Sequence, residues 1–284
     1  MEVQLLGSLA VSVDGAPVSV KGAKERAVLS LLALRAGSAV SVDELIEGLW
    51  GPEPPRSAMK ALHNYVSNIR RVLPAGSVVT VPGGYRAGWP PEHVDALRFE
   101  RAIVNARRAL ATDPSASAAI LQETLALWRG SPLVDLTGSS LGIAEATRLA
   151  ELRRGAEEDL FDARLAAGEH GEVVADLELA VRREPLRERR WAQLMLALYR
   201  SGRQGEALRA FTRLSKVLAE ELGIGPSAEL CRLETDILHQ APSLRPGTEA
   251  GPSRTAGRST PLPGGLLRAA RRELIGRRRE STRL

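Results

Sequence analysis

The side chains best suited to chemistry lie in residues 56–86, and that chemistry is contact with a polyanion. Arg56, Lys60, Arg70, Arg71 and Arg86 give this stretch five positive charges, and it contains no Asp or Glu. A surface segment normally mixes both signs, so attraction to phosphate is the simplest reason for the bias. Ala58, Leu62, Tyr65, Val66, Ile69, Val72 and Leu73 recur at spacings of three and four, which predicts an amphipathic helix. Successive residues turn by about 100°, so Lys60, Asn64, Ser67 and Arg71 fall opposite that apolar stripe. Arg56, Ser57, His63 and Asn68 flank them. Lys60 and Arg71 are suited to donate to guanine, and Asn64 to pair with adenine. Arg56, Ser57, Arg70, Tyr85 and Arg86 are better placed for phosphates or the minor groove. With His63 and Ser67 these residues make up the candidate DNA-binding set.

The flanking sequence predicts elements that hold this helix in place. Upstream, Ser41 with Glu44 three residues on is a capping box. Leu45, Ile46 and Leu49 give the short helix it opens an apolar face. Gly51-Pro52-Glu53-Pro54-Pro55 must end that helix, because consecutive prolines lack the necessary donors. Downstream, Val78–Val81 and Tyr85–Trp89 enclose Pro82-Gly83-Gly84 and read as a hairpin. At the N-terminus, strands are expected at Val3–Leu6, Leu9–Val13 and Val18–Val20, with a tight turn at Asp14-Gly15. A first helix follows from about Ala23, with Ala27, Val28, Leu31, Leu32 and Leu34 on its apolar side. Helix, loop, basic helix and hairpin is the order of a winged helix-turn-helix. The blander reading, a solvated helix packed on a core, does not account for the hairpin.

Charge divides the chain into three parts. Residues 1–91 carry a net +2, residues 92–249 a net −4 and residues 250–284 a net +7. The acidic middle is better suited to protein contact than to DNA. It has almost no strand signal, and helices are expected near 94–111, 115–128, 142–168, 171–182, 187–201, 204–222 and 226–239. Trp191, Leu194, Leu198, Gly202, Ala207 and Phe211 stand at tetratricopeptide offsets, with Pro185 closing the preceding repeat. Gly168, Val173 and Leu177 recur 34 residues later as Gly202, Ala207 and Phe211. Two repeats are therefore expected, with helix pairs before them. Their grooves suit protein partners.

Other chemistries find little footing. The chain is 284 residues long with 44% hydrophobic content, room for two domains. No apolar run approaches the roughly 18–20 residues of a membrane span. The single Cys231 rules out an internal disulfide and fits a reducing cytoplasm. Beside Leu230 and Leu233, it reads as a small core residue. None of the four lysines completes a P-loop. His63, His93, His170 and His239 lack metal-ligand spacing. Glu157-Glu158 and Glu220-Glu221 read as solvated helix faces. No catalytic constellation, cofactor or metal is expected. From Pro242 to Gly265, Pro, Gly, Ser and Thr predict a linker, followed by a basic segment ending the chain.

The strings "SVDELIEGLWG", "ALHNYVSNIRRVL" and "VPGGYR" resemble the OmpR-type DNA-binding domain of the Streptomyces antibiotic regulatory proteins. "FERAIVNARRAL", "LALWRG", "LRERRWAQLMLALYRSGRQGEALRAF" and "LAEELGIGPSAEL" resemble that family's bacterial transcriptional activation domain. Together they span roughly residues 1–240. The resemblance implies a mainly α fold with a small β component. A winged helix-turn-helix at 1–91 precedes an all-α, tetratricopeptide-like domain at 92–241. It implies a transcriptional activator, not an enzyme, acting on secondary-metabolite genes. Such an activator binds direct repeats near the promoter −35 element as a homodimer on DNA. It also contacts RNA polymerase including its sigma factor, for which Gly51, Pro52, Glu53, Pro54 and Pro55 are the candidate residues. "ELIGRRRE" in the tail resembles the start of the nucleotide-hydrolysing module of larger members, which would make 242–284 a linker and the start of a domain cut short; the alternative is a basic tail with no fold of its own. The rival reading is a signalling scaffold whose repeats bind a protein partner.

Overall fold

The computed structural model describes residues 1–244, in which helices predominate and two small antiparallel sheets lie near the N-terminus. The first sheet runs β1 (Glu2–Gln4), β2 (Ala10–Val13), β3 (Ala16–Val18). Asp14 and Gly15 both take positive φ, 50° and 80°, as a two-residue hairpin turn demands. That tight turn draws β3 two residues earlier than its expected place.

Helix α1 (Ala23–Leu34) is buried continuously from Ala27 to Ala33. It packs against α2, α3, the second sheet and a 3₁₀ turn at Val134–Leu136, so its apolar surface exceeds one stripe. β4 (Ala39–Ser41) had no sequence signal and pairs with the later hairpin. Ser41 then caps α2 (Val42–Trp50). Glu44 N donates to Ser41 Oγ at 3.1 Å, and Ser41 N donates to Glu44 Oε2 at 2.8 Å. The Ser41 amide and hydroxyl hold the Glu44 carboxyl below its usual range. α3 (Ala58–Val72) leads into β5 (Val78–Val81) and β6 (Gly84–Ala87), and the second sheet has the order β4–β6–β5. The hairpin turn is Pro82-Gly83, with Gly83 at φ 76°, a conformation that glycine accepts without strain. A side chain on Gly84 would collide with the Val40 carbonyl, so β4 and β6 need glycine there.

Seven helices follow: α4 (Asp95–Leu110), α5 (Pro114–Leu125), α6 (Ser140–Ala166), α7 (Val174–Arg183), α8 (Glu188–Arg200), α9 (Gln204–Leu222) and α10 (Ala228–Leu238). They track the expected spans to within a few residues. One core extends from Val3 to Ala163 and a second from Leu165 to Leu244. The hydrophobic break therefore falls inside α6, a helix of 27 residues that serves both cores. Across residue 91 the backbone is stitched together. Leu5 N and Leu6 N donate to the Asp95 carboxylate at 2.6 and 3.2 Å. Arg129 N donates to Leu6 O at 2.8 Å and Leu133 N to Leu5 O at 3.0 Å.

In the second core, Trp191, Leu194, Leu198 and Ala207 are buried and Phe211 packs against them. Trp191 Nε1 donates to the Pro185 carbonyl at 2.8 Å, which ties the repeat's first helix to the turn before it. Three expectations need correction. Glu158 is buried, not solvated, because Arg187, Arg189 and Arg190 reach back to it from some 30 residues downstream. Cys231 is exposed, because α10 turns Leu230 and Ile237 to the core instead. Pro242–Leu244 form a 3₁₀ turn that docks, with Leu244 buried and its carbonyl accepting from Arg200 Nε at 2.9 Å. The remainder of the expected linker and the basic segment, from 245 to 284, lies outside the described residues.

Candidate nucleic-acid interface

α3 is fixed along its inner face. Leu62, Val66 and Ile69 are buried in the first core, and Ala58 is buried at the helix start, as their spacing requires. Tyr65 stacks on Trp50 of α2, with ring centroids 6.2 Å apart. Lys24 of α1 sits over the other ring system at 5.4 Å from the Trp50 centroid. Three helices thereby converge on one indole, which sets the angle between α2 and α3.

The outer face of α3 is left free for a ligand. Arg56, Ser57, Lys60, His63, Asn64, Ser67, Arg70 and Arg71 are all exposed. Among the described residues, the side chains of Arg56, Ser57, Lys60, His63, Asn64 and Ser67 have no hydrogen-bond or ion-pair partner. Arg71 makes one long contact, Nη1 donating to Asn68 Oδ1 at 3.4 Å. Asn68 in turn donates to Glu25 of α1 at 3.1 Å, which marks the acidic edge of the face. Ser57 occupies the N-cap without capping, so its hydroxyl remains available beside the positive end of the helix. Donors and cations presented together, with no carboxylate within the face, suit phosphate and base edges.

Two sequence-derived assignments change. Tyr85 is 7% exposed and its ring lies in the first core, so it offers little surface to a ligand. Alternation along β6 turns Tyr85 and Ala87 inward and Arg86 outward, with Tyr85 paired to Val40 and Thr80 inside the sheet; Gly84, on the Arg86 face, is covered by the Val40 backbone. Arg70 is an anchor for the hairpin. Its Nε donates to Val78 O at 2.9 Å, its Nη2 donates to Thr80 Oγ1 at 2.7 Å, and its guanidinium lies 5.8 Å from the Tyr85 ring centroid. Arg86 stays exposed, and its side chain has no hydrogen-bond or ion-pair partner among the described residues. Periodicity alone missed Met59, which is 47% exposed beside Lys60 on the first turn; its position off the apolar stripe was the available signal. Between α2 and α3, Pro52, Glu53, Pro54 and Pro55 are exposed, and Gly51 takes φ 71° where α2 ends.

Residues 17–87 match the family described as transcriptional regulatory protein, C terminal, and residues 94–238 match the bacterial transcriptional activator domain. Regulatory protein DnrI of Streptomyces peucetius is 38% identical over 257 residues, which cover 86% of this chain and 94% of DnrI. The chain belongs to the Streptomyces antibiotic regulatory protein family. Another member, the transcriptional regulator RedD of Streptomyces coelicolor, is 35% identical over 86% of this chain and 72% of its own length. Family members differ in length, since regulatory protein AfsR of Streptomyces coelicolor is 37% identical across 84% of this chain but only 24% of AfsR. The solved structure of Mycobacterium tuberculosis EmbR in complex with a low affinity phosphopeptide superposes with a TM-score of 0.79 at 36% identity. That match covers 85% of this chain and 65% of EmbR. Among the described residues of this family member, no helix is long and apolar enough to cross a membrane.

Proposed function

We propose that this chain is a sequence-specific transcriptional activator that lays α3 in the major groove of promoter DNA. The observation that carries this reading is the set of donors without partners among the described residues, from Arg56 and Ser57 just before α3 to Ser67 within it, on a helix fixed by the Trp50–Tyr65 stack. Lys60, Asn64 and Arg71 read base edges, while Met59 offers apolar surface to a thymine methyl group. Arg56, Ser57, His63, Ser67 and Arg86 meet backbone or groove edges and set the register. Arg70 acts indirectly, by holding the hairpin that carries Arg86.

Two copies bind direct repeats near the −35 element as a homodimer on DNA. Residues 1–91 contribute the DNA-reading part and residues 92–241 the activating part. The Gly51–Pro55 loop, exposed from Pro52 onward, leads into the reading helix, which suits contact with RNA polymerase and its sigma factor. Membership of the Streptomyces antibiotic regulatory protein family favours control of antibiotic and other secondary-metabolite genes, exercised in the cytoplasm. No catalytic step, cofactor or metal enters this reading.

Footprinting on a target promoter tests it. Protection of two same-direction repeats, lost with Lys60→Ala or Asn64→Ala, is the expected result. Salt-independent or sequence-blind binding would instead favour a signalling scaffold whose repeats hold a protein partner.

A further inference from the structure

A cleft of about 740 Å³ opens between the loop after α5, helix α6 and helix α7. Small-molecule sites typically occupy roughly 300–1,000 Å³. The floor is apolar, formed by Leu160 and Phe161 of α6 and by Leu179 of α7, which is 42% exposed. Trp128 forms a wall, with the Arg153 guanidinium 5.0 Å from its ring centroid and Phe99 edge-on at 5.3 Å.

The charges around this floor leave one cation over. Glu157 is taken by Arg153 at 3.2 Å and Arg190 at 2.9 Å. Asp176 is taken by Arg164 at 3.0 Å, and Glu184 by Arg154 and Arg190, both at 2.9 Å. These pairs satisfy every carboxylate lining the cleft and three of its four arginines. The fourth, Arg183, is exposed and has no ion pair or side-chain hydrogen bond among the described residues. An unpaired guanidinium at the rim of an apolar hollow selects a ligand with an apolar body and one anionic group.

We infer that this cleft binds a small organic anion, with a ring system on the Leu160–Phe161–Leu179 floor and a carboxylate or phosphate on Arg183. Its location gives an occupant a route to the N-terminal region. The loop that supplies Trp128 also docks on the connection between β1 and β2, through Arg129 N to Leu6 O at 2.8 Å and Leu133 N to Leu5 O at 3.0 Å. Leu133 is held at φ 54°, a left-handed conformation that a leucine rarely adopts. The wall of the cleft and the support of the β1–β2 connection are thus two faces of one short segment.

Anilinonaphthalene sulfonate, two aromatic groups bearing one anion, is a direct probe. Titration of the full chain, followed by dye fluorescence and by energy transfer from tryptophan, should show one saturable site. Arg183→Ala should weaken that site about tenfold, the scale of a lost charged hydrogen bond. Arg182→Ala removes an equally unpaired neighbour that does not line the cleft, and should leave binding unchanged. Leu179→Glu should abolish binding, and uncharged phenylnaphthylamine should not distinguish wild type from Arg183→Ala. Circular dichroism confirms that the arginine variants keep the helical fold. Absence of a saturable site, equal binding by wild type and Arg183→Ala, or equal loss in both arginine variants would overturn the assignment.

Discussion

Arg26 and Asp135 meet at two points, Nε to Oδ1 at 2.6 Å and Nη2 to Oδ2 at 2.9 Å. The pair joins α1, beneath the reading helix, to the 3₁₀ turn that precedes α6. Leu9 closes the arrangement, its N–H donating to Asp135 Oδ2 at 2.8 Å and its carbonyl accepting from Arg26 Nη2 at 3.0 Å. Removing one member leaves the others partly buried and unpaired. Arg26→Ala should destabilise the protein by about 1–3 kcal/mol. Denaturant unfolding checks this, and a midpoint equal to wild type would mean that the pair contributes nothing net.

Acidification should reveal opposite signs at two carboxyls on this seam. Burial pushes the Asp135 carboxyl up, but the Arg26 and Leu9 hydrogen bonds outweigh it and hold the group below the usual range. Its stabilising contribution is full above the unfolded value of about 3.9 and disappears as pH falls through the folded value. Burial raises the Asp95 carboxyl despite the Leu5, Leu6 and Ala96 amides and the Arg129 charge. There the contribution is full below the unfolded value and is lost as pH rises through the folded one. Asp135→Asn should therefore flatten the acid-side fall in stability, and Asp95→Asn should steepen it. Unfolding curves between neutral pH and the carboxylate range would refute this if both variants shift in one direction.

Lys60→Ala, Asn64→Ala and Arg71→Ala should each weaken operator binding by about 1–3 kcal/mol with the fold intact. All three side chains are exposed on α3, away from the core. Fluorescence anisotropy with specific and scrambled duplexes measures it. Undiminished selectivity in all three variants would remove α3 from the base-reading role.

The wing should separate into a contact and its support. Arg86→Ala should lower the salt slope of DNA binding by about one, as expected for one lost phosphate. Tyr85→Phe should leave that slope unchanged, because the ring is buried in the sheet. Arg70→Lys should reduce affinity like Arg70→Ala, since an ammonium lacks the fork that holds Val78 and Thr80 together. An altered slope in Tyr85→Phe would put its hydroxyl on DNA after all.

A fragment ending at residue 91 should melt well below one ending at 167. Val3, Leu5 and Leu6 share their core with Val94, Phe99, Ile103 and Leu121, and the shorter fragment exposes that surface. Thermal unfolding by circular dichroism decides it; equal midpoints would mean that the N-terminal part holds its core unaided.

The sequence by itself determined the elements and the chemistry of α3. Three- and four-residue spacing assigned Leu62, Val66 and Ile69 to the core and Lys60, Asn64 and Ser67 to the surface, because a helix maps spacing directly onto faces. The Ser41–Glu44 cap and the Pro82-Gly83 turn were legible for the same reason, since each closes within a few residues. What spans a long stretch of chain was not legible. Tyr85 reads as a wing residue until β4, which carries little local signal, pairs with β6 and buries it. Glu158 reads as solvated until arginines some 30 residues away enclose it. The shared core across residue 91 likewise arises only when Leu5 and Leu6 reach Asp95. In each case the deciding partner is distant in sequence, and only the folded chain brings it within a few ångströms.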